Sequence, residues 1–329
     1  MSDFHQLPKV ELHLHLDCSL SYEVVHRIDP TISREAYQEH FVAPAKCADL
    51  ADYIARALRH IELMQTPEQL RWVTLDLIDQ LKADQIIYAE IRFAPLEHQR
   101  QDLTPNQVVE IVNDALLEGM IVTGVQAKLI LCTLRHYNES QSMETVQLVE
   151  AFQDKNVVGF DLAADEAGFP IDAHVKAFEF ARAHGLNCTA HAGEACGAPS
   201  VWETIKQLRP SRIGHGVRSI EDEKLIDYLR DQKLHLEVCP TSNVQTNVVD
   251  RIEDHPIHRL FQKGISLSIN TDARTVSPIS LSSEYDLLQQ YFDWDKSHFL
   301  KCNLDAIEHS FADESVKAHL RELILEAYR

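Results

Sequence analysis

His13 and His15 stand one residue apart in Pro8-Lys9-Val10-Glu11-Leu12-His13-Leu14-His15-Leu16-Asp17. In an extended strand alternate side chains share a face, so the two imidazoles lie side by side while Leu12, Leu14 and Leu16 point the other way. Imidazole suits zinc, copper, iron and nickel, so the pair reads as half of a metal site. The plainer reading is two polar residues on the wet face of an ordinary strand. Further candidates lie in His191-Ala192-Gly193-Glu194, Gly214-His215-Gly216 and Asn270-Thr271-Asp272. Catalytic zinc takes His and carboxylate ligands and keeps a position open for water. His13, His15, His191 and Asp272 are therefore expected to hold one metal with water as the fifth ligand. The metal would bring the pKa of that water to about 7, supplying hydroxide at neutral pH. Glu194, three residues past His191, could move a proton between water and substrate. Its bland role is a carboxylate at a helix N-terminus. His215 could orient or deprotonate the water, serve as a ligand itself, or be a core histidine; its two flanking glycines suggest crowding at a site.

Residues this far apart need a scaffold that gathers them. Apolar strand-like runs recur at Val10 to Leu16, Ile86 to Phe93, Ala127 to Cys132, Val157 to Leu162, Leu186 to His191, Arg212 to His215, Leu234 to Val238 and Ile265 to Asn270. Most are continuous, as in parallel strands buried on both faces. Helical patterns follow at Asn106 to Gly119, Ile171 to His184, Glu221 to Arg230, Ile279 to Phe292 and Asp313 to Tyr328. The alternation predicts an α/β fold, a (β/α)8 TIM-type barrel, with residues 1–329 forming a single domain. The span from about 19 to 85 is too long for one crossover. It is expected to hold extra helices at Ser33 to Glu39, Leu50 to Met64 and Pro67 to Leu81, part of which caps the substrate. In such a barrel all strand C-termini face one mouth, and the first and eighth strands are neighbours. His13, His15 and Asp272 then meet. Asp161, Asp165 and Glu166 end or follow the fourth strand, and Glu237 to Asn243 end the seventh. Of eighteen histidines, only His13, His15, His191 and His215 stand at strand ends beside glycine or another polar candidate.

Composition narrows the function. A formal charge of -20 argues against a nucleic-acid partner, which needs clustered Lys and Arg, and against an anionic membrane surface. A small-molecule substrate fits better. Seven scattered cysteines with no C-x-x-C predict free thiols in a reducing compartment. The first residues lack the blocks of a signal peptide, and no apolar run is long enough to span a bilayer, so a cytoplasmic location is expected.

Six segments together resemble the adenosine deaminases of the amidohydrolase superfamily. They are Val10 to Asp17, Gly159-Phe160-Asp161-Leu162-Ala163, His191 to Glu194, Arg212 to Gly216, Glu237-Val238-Cys239-Pro240-Thr241-Ser242-Asn243 and Ser268 to Asp272. They run in family order over nearly the whole chain. The resemblance implies a barrel with one Zn2+ per chain and hydrolytic loss of the 6-amino group of a purine nucleoside. Adenosine or 2′-deoxyadenosine would yield inosine or 2′-deoxyinosine and ammonia. It implies His13, His15, His191 and Asp272 as zinc ligands, Glu194 as proton donor to purine N1, and His215 as the residue orienting the hydroxide. It further implies Asp17 on the ribose 5′-hydroxyl and a backbone contact to the purine from Gly193.

The chain departs from the family pattern at three positions. Cys18 and Ala164 stand where the family usually has Gly, and Ala273 where it usually has a second Asp that bonds purine N7. A site loses discrimination when a designed hydrogen-bond partner is missing. Arg274 is the neighbouring donor that could compensate. The same chemistry on adenine or a modified adenosine is therefore the alternative. Many binuclear amidohydrolases need a carboxylated lysine at the end of the fourth strand, and no Lys occurs between Val157 and Asp165. A non-catalytic purine-binding homologue ranks last, because every expected ligand and proton-transfer residue is present.

Overall fold

The computed structural model describes residues 3–329. Eight parallel strands follow one another in sequence order around a barrel. They are β1 (Lys9–His15), β2 (Ile86–Phe93), β3 (Gln126–Leu134), β4 (Val157–Ala163), β5 (Asn187–Ala192), β6 (Arg212–His215), β7 (His235–Val238) and β8 (Leu267–Ile269). The β1–β2 connection carries α1 (Tyr22–Ile28), α2 (Arg34–His40), α3 (Leu50–Glu62) and α4 (Pro67–Ala83). The crossovers that follow supply α5 (Pro105–Thr123), α6 (Glu139–Phe152), α7 (Val175–Ala183), α8 (Ala198–Gln207) and α9 (Glu223–Gln232). Between β7 and β8 lie α10 (Pro240–Gln245) and α11 (Ile257–Gln262), and after β8 come α12 (Leu281–Phe292), α13 (Lys296–His309) and α14 (Glu314–Ala327). Among the described residues no helix is long and apolar enough to cross a membrane.

Local chemistry explains the boundaries. Thr66 and Thr104 each accept from the backbone N–H three residues on, while Gln69 and Gln107 reach back to the cap. Each pair satisfies two otherwise orphaned donors, and a proline fills the first helical position. The helical pattern from Ile171 resolves into a short 3-10 turn, Asp172–His174, and then α7. Helices α1, α6, α8, α10, α11 and α13 carry no mark in the sequence pattern as read above. Two of them, α10 and α11, are only six residues long, too short to display a period.

The eighth strand is shorter than its apolar run because a side chain takes over its edge. Asn270 Oδ1 accepts from the backbone N–H of Leu12 at 2.8 Å and of His13 at 3.1 Å. Beyond it the chain closes the barrel at an isolated parallel bridge between Leu14 and Asp272. There the N–H of His15 donates to the carbonyl of Asp272 at 2.7 Å, and that of Asp272 to the carbonyl of His13 at 3.0 Å. This closure sets Asp272 beside the two histidines of β1.

Candidate active site

The polar core under the barrel mouth is a charged lattice. Arg92 on β2 donates to Asp161 on β4 at 3.0 Å, to Glu237 on β7 at 2.7 Å and to the Leu12 carbonyl at 2.7 Å. Arg212 lies 2.7 Å from the other oxygen of Glu237 and 2.6 Å from Glu90. All five side chains are fully buried. Charges this deep persist only when paired. The two carboxylates bound by Arg92 face the candidate ligands. Glu237 Oε2 lies 2.8 Å from His13 Nδ1, and Asp161 Oδ1 lies 3.2 Å from His191 Nδ1. A carboxylate on one ring nitrogen fixes the tautomer and turns the other nitrogen's lone pair outward.

Those outward nitrogens converge. His15 Nε2 lies 3.3 Å from His191 Nε2 and 3.4 Å from Asp272 Oδ1. His13 Nε2 is 3.3 Å from the same oxygen, yet it is buried and makes no hydrogen bond. Asp272 Oδ2 is engaged by the Ser242 hydroxyl at 2.7 Å, which leaves Oδ1 for the cluster. Ligand atoms of His13, His191, His215 and Asp272 all lie within 4.8 Å of one another. His13, His191 and Asp272 thus lie together in the cluster, with both His15 and His215 beside them. An orphaned buried nitrogen beside a carboxylate oxygen, within a His-rich donor set, fits a divalent metal. Burial alone would raise the Asp272 carboxyl, but the His13 contact and the surrounding imidazoles hold it well below the usual carboxylate range.

Glu194 lies in the turn after β5, and its environment does the opposite. Burial, then the carboxylates of Asp272 and Glu166, push its pKa well up. Thr246 Oγ1 lies 3.0 Å from Glu194 Oε1 and 3.0 Å from the Ser242 carbonyl. One hydroxyl proton serves only one of those oxygens, so a proton on Glu194 completes the set. Glu194 Oε2 lies 3.5 Å from His215 Nε2. Two neighbouring carboxyls are therefore pushed in opposite directions, Glu194 towards its protonated form and Asp272 towards its ionised form.

The turn that carries Glu194 is held on both sides. Glu166 accepts from the N–H groups of Gly193 at 2.7 Å, Glu194 at 3.0 Å and Cys196 at 2.9 Å, and from the Ser200 hydroxyl at 2.6 Å. Arg135 donates to the His191 carbonyl at 2.9 Å, and Arg218 to that of Ala195 at 2.8 Å. Gly193 donates its N–H to Glu166 and receives the Arg218 N–H on its carbonyl. Both of its backbone groups are occupied, and it is not among the residues lining the cavity. The Gly193 N–H is therefore already used by Glu166 and cannot donate to the purine in this arrangement.

Above the cluster is a cavity of about 430 Å³. Its floor includes His15, His191, His215, Asp272 and Glu194; Leu50, Tyr53, Ile54 and Ile61 of α3 wall one side. Asp17, Cys18, Ala164 and Ala273 also line it. Asp17 accepts from the Ala94 N–H at 3.2 Å, and burial raises its pKa to about 6. It lies 3.8 Å from His15 Nδ1. Ala164 (φ 80°), His215 (φ 59°) and Asp272 (φ 64°) adopt left-handed backbone at three strand ends, strain of the kind that clusters at active sites. Gly214 is needed for close approach, since a Cβ there would meet His13 Cε1 at 3.0 Å and the His191 Cα at 3.2 Å.

Ala273 is buried in an apolar cluster with Tyr53, Leu50 and Val276. Arg274 does not replace the missing carboxylate. It is turned away into ion pairs with Glu11 and Asp84, both at 2.9 Å. Sequence reasoning placed Asp161, Glu166 and Glu237 at strand ends without giving them a task. A carboxylate inside an otherwise apolar strand was the available signal for Asp161 and Glu237.

Comparison with known proteins agrees with this arrangement. Residues 8–327 match the family model described as adenosine deaminase. The chain belongs to the adenosine deaminase family. An adenosine deaminase of Clostridium acetobutylicum is 38% identical over 321 residues, spanning 95% of this chain and 96% of that protein. The adenine deaminase of Arthrobacter aurescens superposes with a TM-score of 0.90 at 25% identity, over 97% of this chain and 98% of that one. A Burkholderia ambifaria amidohydrolase solved with bound Zn shares the fold, with a TM-score of 0.91 at 21% identity over 99% and 91% of the two chains. Family membership and the buried His/Asp cluster make this a metal-site hydrolase of the deaminase type.

Proposed function

We propose that this chain removes the 6-amino group of adenosine and 2′-deoxyadenosine by hydrolysis, with one zinc ion per chain, and that residues 1–329 act as one unit whose 19–85 insertion covers the substrate. The observation that carries this reading is one cavity floor that joins Glu194, whose buried carboxyl is pushed towards its protonated form, to a His/Asp cluster suited to a metal. His13, His15, His191 and Asp272 would hold the ion. Its contribution is Lewis acidity, which brings the pKa of coordinated water to about 7.

The chain's own residues do the rest. Glu194 gives its proton to the purine ring nitrogen N1, which makes C6 electrophilic. His215, 3.5 Å from Glu194, orients the attacking oxygen; of the water's two protons one ends on the departing amine and the other returns to Glu194. Water's oxygen ends on C6 as the C6–N bond breaks, and ammonia leaves. A non-ligand Glu beside activated water serves nucleobase deaminases of another fold in the same way. Asp17 and Ala164, which both line the cavity, would contact the sugar and the base.

Electrostatics favour a nucleoside over a nucleotide. Among the described residues lining the cavity there is no Lys or Arg, whereas Asp17, Glu97 and Asp165 are present. A 5′-phosphate would meet carboxylates and no cationic partner. The apolar wall at Ala273 offers no hydrogen bond to the base, which keeps adenine and N6-substituted adenosines in the test. An ultraviolet screen of adenosine, 2′-deoxyadenosine, adenine, N6-methyladenosine and 5′-AMP, with zinc measured on the same sample, decides the matter. Fastest turnover on the two nucleosides is expected. Preference for adenine or 5′-AMP would overturn the substrate assignment.

A further inference from the structure

A chain of hydrogen bonds reaches His215 from outside the cavity. The backbone N–H of Ile257, at the start of α11, donates to His255 Nδ1 at 3.1 Å. That nitrogen is therefore an acceptor, and the ring proton sits on Nε2. His255 Nε2 lies 3.2 Å from Asn243 Oδ1, and Asn243 Nδ2 lies 3.1 Å from His215 Nδ1. All three side chains are buried, His255 at 2%, Asn243 at 0% and His215 at 1% exposure.

A backbone N–H can only donate, so it sets the direction of every later bond. His255 must donate to Asn243. Asn243 must then present its carbonyl oxygen to His255 and its amide to His215. His215 Nδ1 can only accept, and its proton is left on Nε2, facing Glu194 at 3.5 Å. Amide orientation and tautomer, elsewhere matters of choice, are fixed here by the network. Burial lowers the His255 pKa to about 3, so the ring is neutral and keeps one acceptor and one donor.

We propose that His255 is a positioning residue which, through Asn243, locks His215 in the tautomer that carries its proton on Nε2. The assignment rests on the deaminase reading for what His215 does, but the tautomer itself is a property of the folded chain. It also separates the two histidines at the edge of the cluster. With its proton on Nε2, His215 has no lone pair there to offer a cation, whereas His15 Nε2 lies 3.3 Å from His191 Nε2 and is free to serve. His215 thus orients, and His15 ligates.

The test has two arms. In the zinc-loaded wild-type protein, 15N chemical shifts of the His215 ring report the tautomer directly and need no variant. A protonated Nε2 and a bare Nδ1 are expected; a proton on Nδ1, or zinc bound to Nε2, overturns the proposal. In the second arm, His255→Leu removes the relay and frees the Asn243 amide to rotate. His255→Gln can restore it, with a carbonyl for Ile257 and an amide for Asn243. His255→Leu is expected to lower kcat on adenosine about 10-fold or more, short of the roughly 10,000-fold lost when the group directly holding a catalytic histidine is changed. KM and zinc content should change little, and His255→Gln should recover most of the rate. Equal rates for the two variants, or an unchanged His215 tautomer in His255→Leu, would refute the relay. If wild type shows the expected tautomer but leaves adenosine intact, the deaminase reading fails and the catalytic part of this assignment goes with it.

Discussion

Glu194 and Asp272 show how two like groups in one cavity acquire different chemistry. Burial acts on both, but Asp272 is surrounded by imidazoles and Glu194 by carboxylates. Replacing Glu194 by Gln keeps the shape and removes the transferable proton. Glu194→Gln should retain one zinc per chain and lose kcat by about 100-fold or more. A rate within a few-fold of wild type would remove Glu194 from the reaction. Gly214 tests the cluster from beneath. In Gly214→Ala the new methyl would press on His13 and His191. Zinc affinity, measured by chelator competition, should weaken about 10- to 100-fold, the usual cost of disturbing the surroundings of a ligand. Unchanged affinity would show that the two rings do not depend on this close approach. These positions were legible in the sequence because glycine, histidine and carboxylate cluster at strand ends. His255 was not, since nothing in its spacing separates it from the surface histidines; only the direction of the Ile257 N–H does.

At the scale of elements, a strand end is held by side chains from the loops after neighbouring strands. The turn from His191 to Cys196 is the clearest case, with its amides on Glu166 and two of its carbonyls on Arg135 and Arg218. Glu166→Gln turns a donor towards those amides and loses the charge they bind. Amide exchange at Gly193, Glu194 and Cys196 should accelerate while the core of β5 keeps its protection. The accompanying fall in kcat should be about 10- to 100-fold, as for other sub-ångström misplacements. Unaltered exchange would show that Glu166 is not what orders the turn. The strands themselves could be read from apolar runs because both faces are covered. Helices α10 and α11 could not, because six residues show no period and their ends are set by proline and tertiary contacts. The insertion was visible as a span too long for a crossover, but the packing of α3 against Ala273 and Val276 depends on contacts that no local pattern encodes.

At the scale of the whole molecule, stability should depend on pH through buried residues outside the His/Asp cluster. Burial lowers His60 and His98 to about 4, where each bonds a backbone carbonyl. Their folded pKa values lie below the ordinary 6.5, so the unfolded chain binds the protons first as pH falls. Their contribution is intact above about 6.5 and is lost as pH drops towards 4. Glu284 has the opposite sign. Burial raises it to about 8, with one oxygen on the Thr241 N–H and the other without a partner. The folded state keeps a proton that the unfolded chain releases, so stability declines as pH rises from 4.5 towards 8. Glu284→Gln should flatten that decline and stabilise the protein at pH 8 by roughly 1–3 kcal/mol. Thermal melts of both proteins from pH 5 to about 8 check it; parallel curves would mean that Glu284 ionises freely in the native state.

The central claim is that a cation gripped by His13, His15, His191 and Asp272 is what lets this cavity take the amino group from a purine nucleoside. The direct measurement strips the protein of metal, adds zinc back in steps, and follows adenosine by its ultraviolet spectrum. The rate should be absent at the start, rise linearly and stop rising at one zinc per chain, and the Asp272→Ala protein should not recover. Full turnover by the stripped protein, or none at saturating zinc, would contradict the account.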